Sequence, residues 1–448
     1  MRKPFSPCTG RWVMAADRPA GELRIAYLLD QFPSVSETFI LREMAELERR
    51  GVRILPCALT RPDVGAPVHP EAEAFRSRTV YRPPRPLVGD WLRACVRWPK
   101  GGASGTVLAL AHSLRRPAHA RELVGSLAAA AHFAPALLAS GIQHIHAQFA
   151  SMPATVGLLL AEITGLSLSL SLHARDIFTD ESILLRQKLL ESEFATTCTK
   201  FALDRVLSTQ PAAVHGRVHL VRHGIDIARP TPDYRPSRQP IIAIVGRLVE
   251  KKGHRVLLRA AQMLRRRRGD LLVVIAGDGP LRPELESLAE SLGIAALVNL
   301  CGTLPQDQIE ELLAASRVLV VPSVVAADGD RDGLPNVILE AALIGTPIVA
   351  SEVSAIPEFV VHRETGLVVP PDEPRRLADA IAAVLDDPGP ALERAREARR
   401  RVVAEYDIRR NAQALEALLR ETVARREDAP SRPRRSETPD AEPTGKQG

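Results

Sequence analysis

Short apolar runs alternate with amphipathic stretches along most of the chain. The apolar run at 23–29 is followed by residues 36–50, in which Phe39, Met44 and Leu47 recur near the spacing of a helix. Gly51 follows this stretch directly and is a typical helix stop signal. The pattern therefore predicts a strand followed by a helix, and it is repeated further along the chain.

The repeats predict two series of elements. In the first half we expect strands at 23–29, 52–59, 166–172 and 217–221 and one opening at 144–146, helices at 36–50, 151–164, 182–191 and 199–209, mostly helix over 87–140, and a loop over 60–86. In the second half we expect strands at 241–245, 271–276, 298–300, 318–322, 347–350 and 366–369, and helices at 253–268, 282–292, 306–315, 335–345, 355–361, 374–386 and 390–426. This alternation predicts two doubly wound α/β domains with parallel sheets.

Composition shifts divide the chain further. Four prolines between 228 and 240 indicate a linker, and the residues from 428 onwards have almost no apolar side chain. The predicted organisation is a disordered leader at 1–20, a first domain at 21–227, a linker at 228–240, a second domain at 241–388, a helical segment at 389–427 and a disordered tail at 428–448.

Composition also excludes several classes of protein. Of the 448 residues, 45% are hydrophobic and 25% are charged, which is ordinary for a globular protein and argues against a fibre or a fully disordered chain. The five cysteines are scattered without a CxxC motif, so neither a disulfide framework nor a zinc site is implied, and we expect reduced thiols in a cytoplasmic protein. No stretch reaches the ~18 uninterrupted apolar residues that a membrane span needs.

The positive charge is concentrated in one stretch. Residues 82–121 carry eight Lys or Arg against the single acid Asp90, with Trp91 and Trp98 among them. One interpretation is a solvated helix, and the other is a surface that contacts anionic lipid head groups. Nucleic acid is not an expected partner, because aromatic residues are few and no binding motif is present.

Two glycine turns in the second half follow predicted strands. Gly246-Arg247 precedes Lys252, and Gly277-Asp278-Gly279 ends the next strand. A glycine turn after a strand lets backbone amides approach an anion, while an arginine and a lysine bind phosphate oxygens. The alternatives are a solvated loop with incidental charge and a plain strand-to-helix turn.

An acidic segment follows the predicted strand at 318–322 and runs into the predicted helix at 335–345. Residues 328–339 begin like a calcium loop, but the twelfth position is Leu339, which cannot coordinate. The remaining interpretation places Asp332 in a loop and Glu340 in a helix that begins after Pro335, so that both carboxylates border one anion pocket. The alternative is a solvated acidic loop beside a surface glutamate.

Together these motifs resemble glycosyltransferase family 4, in particular the branch that builds bacterial exopolysaccharides such as colanic acid. The resemblance implies the GT-B fold: two facing Rossmann-like domains with an interdomain cleft and a C-terminal helix that packs back towards the first domain. The residues that carry the resemblance are Gly246-Arg247-Leu248, Lys252-Gly253, Gly277-Asp278-Gly279, Gly302, Asp332 to Ala350, Ile356-Pro357-Glu358, Thr365 to Val369, Phe32 to Ile40, His146 to Ala150, His173 to Asp176 and His223 to Asp226.

The resemblance implies a role for each motif on the donor side. Arg247 and Lys252 would neutralise the donor diphosphate, and Glu340 would bind the ribose hydroxyls. The turn of Gly277, Asp278 and Gly279 would border the base, and Gly246 is a further donor-binding residue. The sugar hydroxyls would be held by Asp332, Gly333, Leu334, Pro335 and Asn336. Asp332 departs from the family, where a glutamate is usual, and His223 stands where an asparagine is common.

The first domain would supply the acceptor side. His173 would face the anomeric centre across the cleft, and Ser36, Glu37 and Thr38 would lie beside the acceptor. The alternatives are a satisfied core or loop histidine, and for Ser36 a helix N-cap, a role that is compatible with acceptor contact.

The implied function is a retaining transfer of a sugar from a nucleotide sugar to a glycan or polyprenyl-linked acceptor in exopolysaccharide biosynthesis. No cofactor or metal is expected, because Arg247, Lys252 and a helix dipole can stabilise the leaving diphosphate. The expected location is cytoplasmic, with contact to the inner membrane face as a further possibility. The alternatives are a synthase or phosphorylase of soluble sugars and a non-catalytic subunit that binds nucleotide sugars.

Overall fold

Two parallel sheets with helices on both faces make up the computed structural model of this chain. It describes residues 21–34, 37–62, 70–83, 96, 119–179 and 184–428. The predictions for the leader, for Ser36, for the surroundings of Trp91 and Trp98 and for the tail beyond residue 428 lie outside the described residues.

Within the described residues, the first sheet has seven strands. They are β1 (Leu23–Gln31), β2 (Val52–Thr60), β3 (Val80–Tyr81), β4 (His144–Gln148), β5 (Ser167–Leu172), β6 (Phe194–Thr197) and β7 (Val218–Leu220), in the order β3-β2-β1-β4-β5-β6-β7. The helices of this half are α1 (Thr38–Arg49), α2 (Pro70–Arg76), α3 (Ala120–Ala139), α4 (Met152–Thr164), α5 (Ala174–Phe178), α6 (Leu185–Glu191) and α7 (Lys200–Thr209), with a 3₁₀ turn at Ala212–Arg217.

The second sheet has six strands. They are β8 (Ile241–Val245), β9 (Leu272–Ala276), β10 (Val298–Gly302), β11 (Val318–Val321), β12 (Ile348–Ser351) and β13 (Leu367–Val369), in the order β10-β9-β8-β11-β12-β13. The helices are α8 (His254–Arg265), α9 (Arg282–Ser291), α10 (Gln306–Ala315), α11 (Asn336–Ile344), α12 (Ile356–Phe359), α13 (Pro374–Asp386), α14 (Pro388–Glu405) and α15 (Ile408–Asp428), with 3₁₀ turns at Glu250–Lys252 and Ala295–Leu297.

Both sheets are parallel throughout, so the prediction of two doubly wound domains is confirmed. The order reverses next to β1 in the first sheet and next to β8 in the second. Ligands of such sheets bind beyond the carboxyl ends of the strands at this reversal. The loops after β1 and β8 are therefore where a site is expected.

Several elements differ from the prediction, among them the short helix α5, which was not expected. The expected loop over 60–86 contains α2 and β3, and the strand β6 was missed. β6 has the sequence Phe-Ala-Thr-Thr, so its buried face presents hydroxyls instead of an apolar run. The expected single helix at 390–426 is two helices, because the chain between them pairs with Ile225: the Ile225 amide donates to the Tyr406 carbonyl at 2.9 Å.

Among the described helices, α3 is long and apolar enough to cross a membrane by length and composition, and half of its most apolar window is buried. Leu123, Phe133 and Leu137 are part of the hydrophobic core of the first domain, together with residues of α4. The helix therefore packs as a core element of the first domain.

The C-terminal helix α15 returns to the first domain. Leu415 and Leu419 are buried in one hydrophobic cluster with Ile40 and Met44 of α1. Arg50, at the end of α1, forms an ion pair with Glu416. The helix α1, whose first residue is the acceptor-side candidate Thr38, is thus packed against the C-terminal helix.

Candidate active site

The glycine turns of the second domain are packed backbone to backbone. Gly277 has φ +148, and a Cβ there would lie 1.9 Å from the carbonyl oxygen of Gly246. Gly253 has φ +68, and its Cβ would lie 1.8 Å from the carbonyl oxygen of Pro322. Both positions therefore require glycine for packing alone. The consequence is that the segment from Gly246 to Gly253 is held rigidly at the end of β8.

Asp332 is held from two sides. Its Oδ1 lies 3.0 Å from Nζ of Lys252, and its Oδ2 accepts a hydrogen bond of 2.7 Å from Ser323, which follows β11. Burial by itself raises the pKa of Asp332, but the charges of Lys252 and Lys251 and the Ser323 hydroxyl outweigh it, so the pKa is lowered. Asp332 is thus a buried carboxylate that fixes the ammonium group of Lys252.

Glu340 pairs with a residue of the other domain. Its Oε1 accepts a bond of 2.8 Å from Nη2 of Arg42, which lies on α1. Nη1 of Arg42 is buried and has no hydrogen-bond partner among the described residues. The ribose-binding candidate is therefore connected directly to the helix that follows the predicted acceptor segment.

Glu37 and Arg247 interact across the same cleft. Burial and the charge of Asp30 raise the pKa of Glu37, the charge of Arg247 lowers it, and the resulting pKa is about 7. Glu37 occupies the N-cap position of α1 but makes no side-chain cap bond, and Thr38 is the first helical residue. The acceptor-side candidates Glu37 and Thr38 therefore lie opposite the phosphate-binding candidate.

The loop after Gly329 contacts the turn that carries His173. A Cβ on Gly333 would lie 3.8 Å from Cβ of Ala174, and the guanidinium of Arg331 lies 5.0 Å from the centre of the Phe178 ring. Because Ala174 follows His173 directly, the histidine and the sugar-binding candidates meet at one point of the cleft.

His173 is the N-cap residue of α5, immediately after β5, and it is buried. Its amide donates to Oδ2 of Asp176 at 2.9 Å, and its Nε2 lies 3.0 Å from Oε1 of Gln148. Nε2 of Gln148 donates to Oε1 of Glu43 at 2.8 Å. The ring is thereby oriented by a chain of buried polar side chains.

Aromatic rings surround His173. Its ring centre lies 4.2 Å from that of Phe149 and 5.2 Å from those of Phe39 and His223. Burial, followed by the neighbouring His223 and His146, lowers the pKa of His173 well below its usual range. The imidazole is therefore neutral near pH 7, and it offers a hydrogen bond instead of a positive charge.

Asn336 and Asp278 are two further predicted donor residues. Asn336 begins α11 as predicted, and Pro335 is its N-cap residue. Asp278 closes its own turn, since its Oδ1 accepts from the Gly279 amide at 2.7 Å. The structure thus brings the following predicted residues to one cleft: Arg247, Lys252, Asp332, Gly333, Glu340, Glu37 and His173.

Sequence reasoning missed four side chains of this cleft: Arg42, Glu43, Gln148 and Ser323. Arg42 lies one helical turn after Thr38, so helical spacing was a usable signal for it. Gln148 and Ser323 belong to the carboxyl ends of strands, as His173 does. Glu43 carried no such signal, because a glutamate on an amphipathic helix usually faces solvent.

Comparison with known proteins gives a consistent result. Residues 232–402 match the family model "Glycosyl transferases group 1". The chain is 25% identical over 412 residues to the putative colanic acid biosynthesis glycosyltransferase WcaL of Escherichia coli, covering 84% of this chain and 95% of that protein. It is 27% identical over 374 residues to the amylovoran biosynthesis glycosyltransferase AmsK of Erwinia amylovora, covering 81% and 90%.

Among solved structures, the fold is shared with Anabaena HepE, crystallised in complex with UDP and glucose. The TM-score is 0.66 at 18% sequence identity, over 89% of this chain and 99% of that one. This similarity confirms the GT-B fold with its two Rossmann-like domains and C-terminal helix. Residues 232–402 thus match a group 1 glycosyltransferase domain, in a chain that has the GT-B fold and aligns with two polysaccharide glycosyltransferases along most of its length.

Proposed function

We propose that the chain is a retaining glycosyltransferase that transfers a sugar from a nucleotide sugar to a glycan or polyprenyl-linked acceptor in bacterial exopolysaccharide biosynthesis. The observation that carries the proposal is the convergence of Arg247, Lys252, Asp332 and Glu340 on the cleft wall opposite His173. The relatives WcaL and AmsK supply the polysaccharide context, and the UDP complex of HepE supports a nucleotide-linked donor.

The donor would displace contacts that exist without it. Lys252 is held by Asp332 at 3.0 Å, and the diphosphate would share its ammonium group with that carboxylate. Arg247 and the N-terminus of α11 add positive potential, so the leaving diphosphate needs no metal ion in this proposal. Glu340 would exchange Arg42 for the ribose hydroxyls.

His173 would act as a neutral group beside the sugar. A buried imidazole donates or accepts one hydrogen bond without adding charge near the anomeric carbon. In a front-face displacement, the acceptor hydroxyl attacks from the side of the leaving group. The bond from the anomeric carbon to the phosphate oxygen breaks, and that oxygen accepts the hydroxyl proton. No nucleophilic side chain of the protein is required in this scheme.

Asp332 provides the sharpest test of the site. Asp332→Asn keeps the shape but removes the partner charge of Lys252, and we expect turnover to fall by about tenfold or more while free nucleotide still binds. Asp332→Glu, which restores the residue usual in the family, should raise the rate or shift the sugar preference. Wild-type turnover in Asp332→Asn would contradict a role of Asp332 in the reaction.

The overall reaction is tested with a panel of nucleotide sugars. A thermal-shift screen identifies the donor, and the donor is then incubated with lipid-linked and soluble acceptors in excess EDTA. We expect transfer to the lipid-linked acceptor and an anomeric configuration equal to that of the donor in the product's NMR spectrum. Transfer only to a soluble sugar would favour the synthase alternative, and binding without transfer would favour a non-catalytic subunit. An inverted product would contradict the retaining mechanism.

We also propose that the enzyme works at the cytoplasmic face of the membrane. The proposal is supported by the sequence of the basic stretch at 82–121, which contains Trp91 and Trp98 and suits contact with anionic lipid head groups. Vesicles with anionic lipid should bind the protein at low salt and release it at high salt, because the attraction is screened over about 10 Å at 0.1 M salt. Unchanged binding after both tryptophans and the nearby arginines are replaced by alanine would contradict this surface.

A further inference from the structure

Three neighbouring strands of the first sheet are each followed by a residue that can bind a metal. His173 directly follows β5, Cys198 directly follows β6, and His223 comes shortly after β7. Since β5, β6 and β7 are adjacent and parallel, their carboxyl ends meet at one edge of the sheet. One ligand atom from each of the three side chains lies within 4.8 Å of the other two.

The ligand set is chemically specific. One thiolate and two imidazoles suit zinc, which binds sulfur at about 2.3 Å and nitrogen at about 2.0–2.1 Å. A tetrahedral ion places such atoms ~3.5 Å apart, so modest side-chain rotations would complete the geometry. Oε1 of Gln148, 3.0 Å from Nε2 of His173, is the kind of oxygen that orients a metal-bound imidazole.

This cluster could not be predicted from the sequence, because its members are far apart in the chain and follow no metal-binding spacing. The expectation that the scattered cysteines imply no zinc site was based on spacing alone. The sheet, and not a local motif, brings the three residues together.

We propose that His173, Cys198 and His223 form a three-ligand site for Zn²⁺, whose fourth position is left to water or substrate. On binding, the Cys198 thiol releases one proton to solvent and a zinc–sulfur bond forms, and nothing is oxidised or reduced.

A regulatory consequence rests on the proposed function. His173 is the side chain proposed to face the reacting sugar, and a zinc ion on its ring would occupy that position. Zinc should therefore inhibit sugar transfer, and a chelator should restore it. This is compatible with a reaction that itself requires no metal.

Metal binding is tested on the full chain after chelation and desalting. Titration with Co²⁺ should reach one bound ion per chain, with a thiolate-to-cobalt charge-transfer band, and Zn²⁺ should displace it. Cys198→Ser should remove the band and weaken zinc binding by about tenfold or more. His223→Asn should weaken binding to a similar extent, and the matched control Cys301→Ser, in the second domain, should change neither.

The outcomes separate the proposals. No saturable cobalt binding, or an unchanged band in Cys198→Ser, would overturn the site. If Cys198→Ser fails to fold, unchanged cobalt affinity in His223→Asn would overturn it instead. In the transfer assay, Cys198→Ser should keep the basal rate and resist zinc, whereas a zinc-saturated wild type that transfers at the metal-free rate would overturn the inhibition. A chain that binds cobalt through Cys198 but transfers no sugar would support the metal site and contradict the proposed function.

Discussion

The Lys252–Asp332 pair has a chemical role and a structural one at the same time. Asp332 is 7% exposed, so its charge depends on Lys252 at 3.0 Å and on the Ser323 hydroxyl. A second pair lies beside it, since Lys251 reaches Asp330 at 3.0 Å. The two lysines are adjacent in sequence and similar in contacts, but only Lys252 is bound to the buried carboxylate. This makes Lys251 a matched control for Lys252.

Lys252→Ala should reduce turnover by about ten- to a hundredfold, because a charge-assisted contact to the diphosphate is worth roughly 1.5–3 kcal/mol. It should also lower the melting temperature, because it leaves a buried carboxylate without its main partner charge. Lys251→Ala should change both quantities much less. Steady-state kinetics and thermal unfolding of the two variants decide the matter, and equal effects of both substitutions would contradict the assignment.

The contribution of the Lys252–Asp332 pair to folding stability decreases in acid. The pKa of Asp332 is lowered in the folded state, so its contribution to stability is present above the ordinary carboxyl pKa of about 3.9. That contribution is lost as the pH falls through the folded-state pKa. The stability difference between the wild type and Asp332→Asn should therefore shrink in acid.

The pH dependence of stability at Glu43 has the opposite sign, because its pKa is raised in the folded state. Burial raises its pKa to about 7, although the hydrogen bonds from Tyr27 and Gln148 lower it. Its stabilising, protonated form is fully present below pH ~4.5 and is lost as the pH rises through about 7. Both donors bind the same oxygen, Oε1, so Glu43→Gln can keep both bonds.

Glu43→Gln should accordingly stabilise the protein at pH 8 by about 1–3 kcal/mol relative to the wild type, and much less at pH 5. Denaturant unfolding at the two pH values measures the difference. Equal changes at both values would show that Glu43 does not titrate in this range. Because Gln148 connects Glu43 to His173, the same variant also reports on whether this buried chain orients the histidine.

At the scale of elements, the turns between strands and helices hold the site more than the helices do. Gly253 lies between the 3₁₀ turn Glu250–Lys252 and α8, with its α-carbon packed against the Pro322 carbonyl. Gly269, in the loop after α8, has nothing within 4 Å of the position of an added Cβ. Replacing each glycine by alanine therefore distinguishes the effect of a steric clash at Gly253 from the general effect of reduced backbone freedom at Gly269.

Gly253→Ala should lower the free energy of unfolding by several kcal/mol, about 2–4, because a Cβ cannot fit 1.8 Å from a carbonyl oxygen and the left-handed φ adds strain. Gly269→Ala should be neutral or slightly stabilising. Chemical denaturation of both variants tests this. A Gly253→Ala protein as stable as the wild type would mean that the β8 turn adapts, and the phosphate-binding segment would then be less rigid than its packing indicates.

Elements with a clear run or periodic pattern of apolar residues were predictable from the sequence, and elements without such a pattern were not. The strands β8 and β9 follow from runs of Ile and Val that are buried on both faces. β6 is buried through Phe194, Ala195 and two threonines, and such a short, hydroxyl-rich strand gives no apolar run. Glu43 could not be identified either, because its partners Tyr27 and Gln148 come from other parts of the chain.

At the scale of the whole molecule, polar contacts join the two domains at two places. Arg42 meets Glu340 at the first. At the second, Glu358 of α12 accepts hydrogen bonds from the backbone amides of Lys200 and Phe201, at the N-terminus of α7. A carboxylate is favoured there because it meets unpaired amides and the positive end of the helix dipole. Glu358 therefore holds the domains in the arrangement that brings His173 to the donor loop.

Glu358→Gln should weaken this closure. The glutamine amide carries no charge, and its NH₂ group cannot accept hydrogen bonds from the backbone amides. We therefore expect a wider average separation of the domains. We also expect the KM for the nucleotide sugar to rise by about tenfold, the equivalent of one charge-assisted hydrogen bond. Small-angle scattering with and without nucleotide measures the separation, and initial rates measure KM. Glu364→Gln, an exposed charge change in the same domain, serves as the control. If Glu358→Gln and Glu364→Gln scatter alike and bind donor alike, the contact at α7 is incidental, and closure must depend on the Arg42–Glu340 pair and on the donor itself.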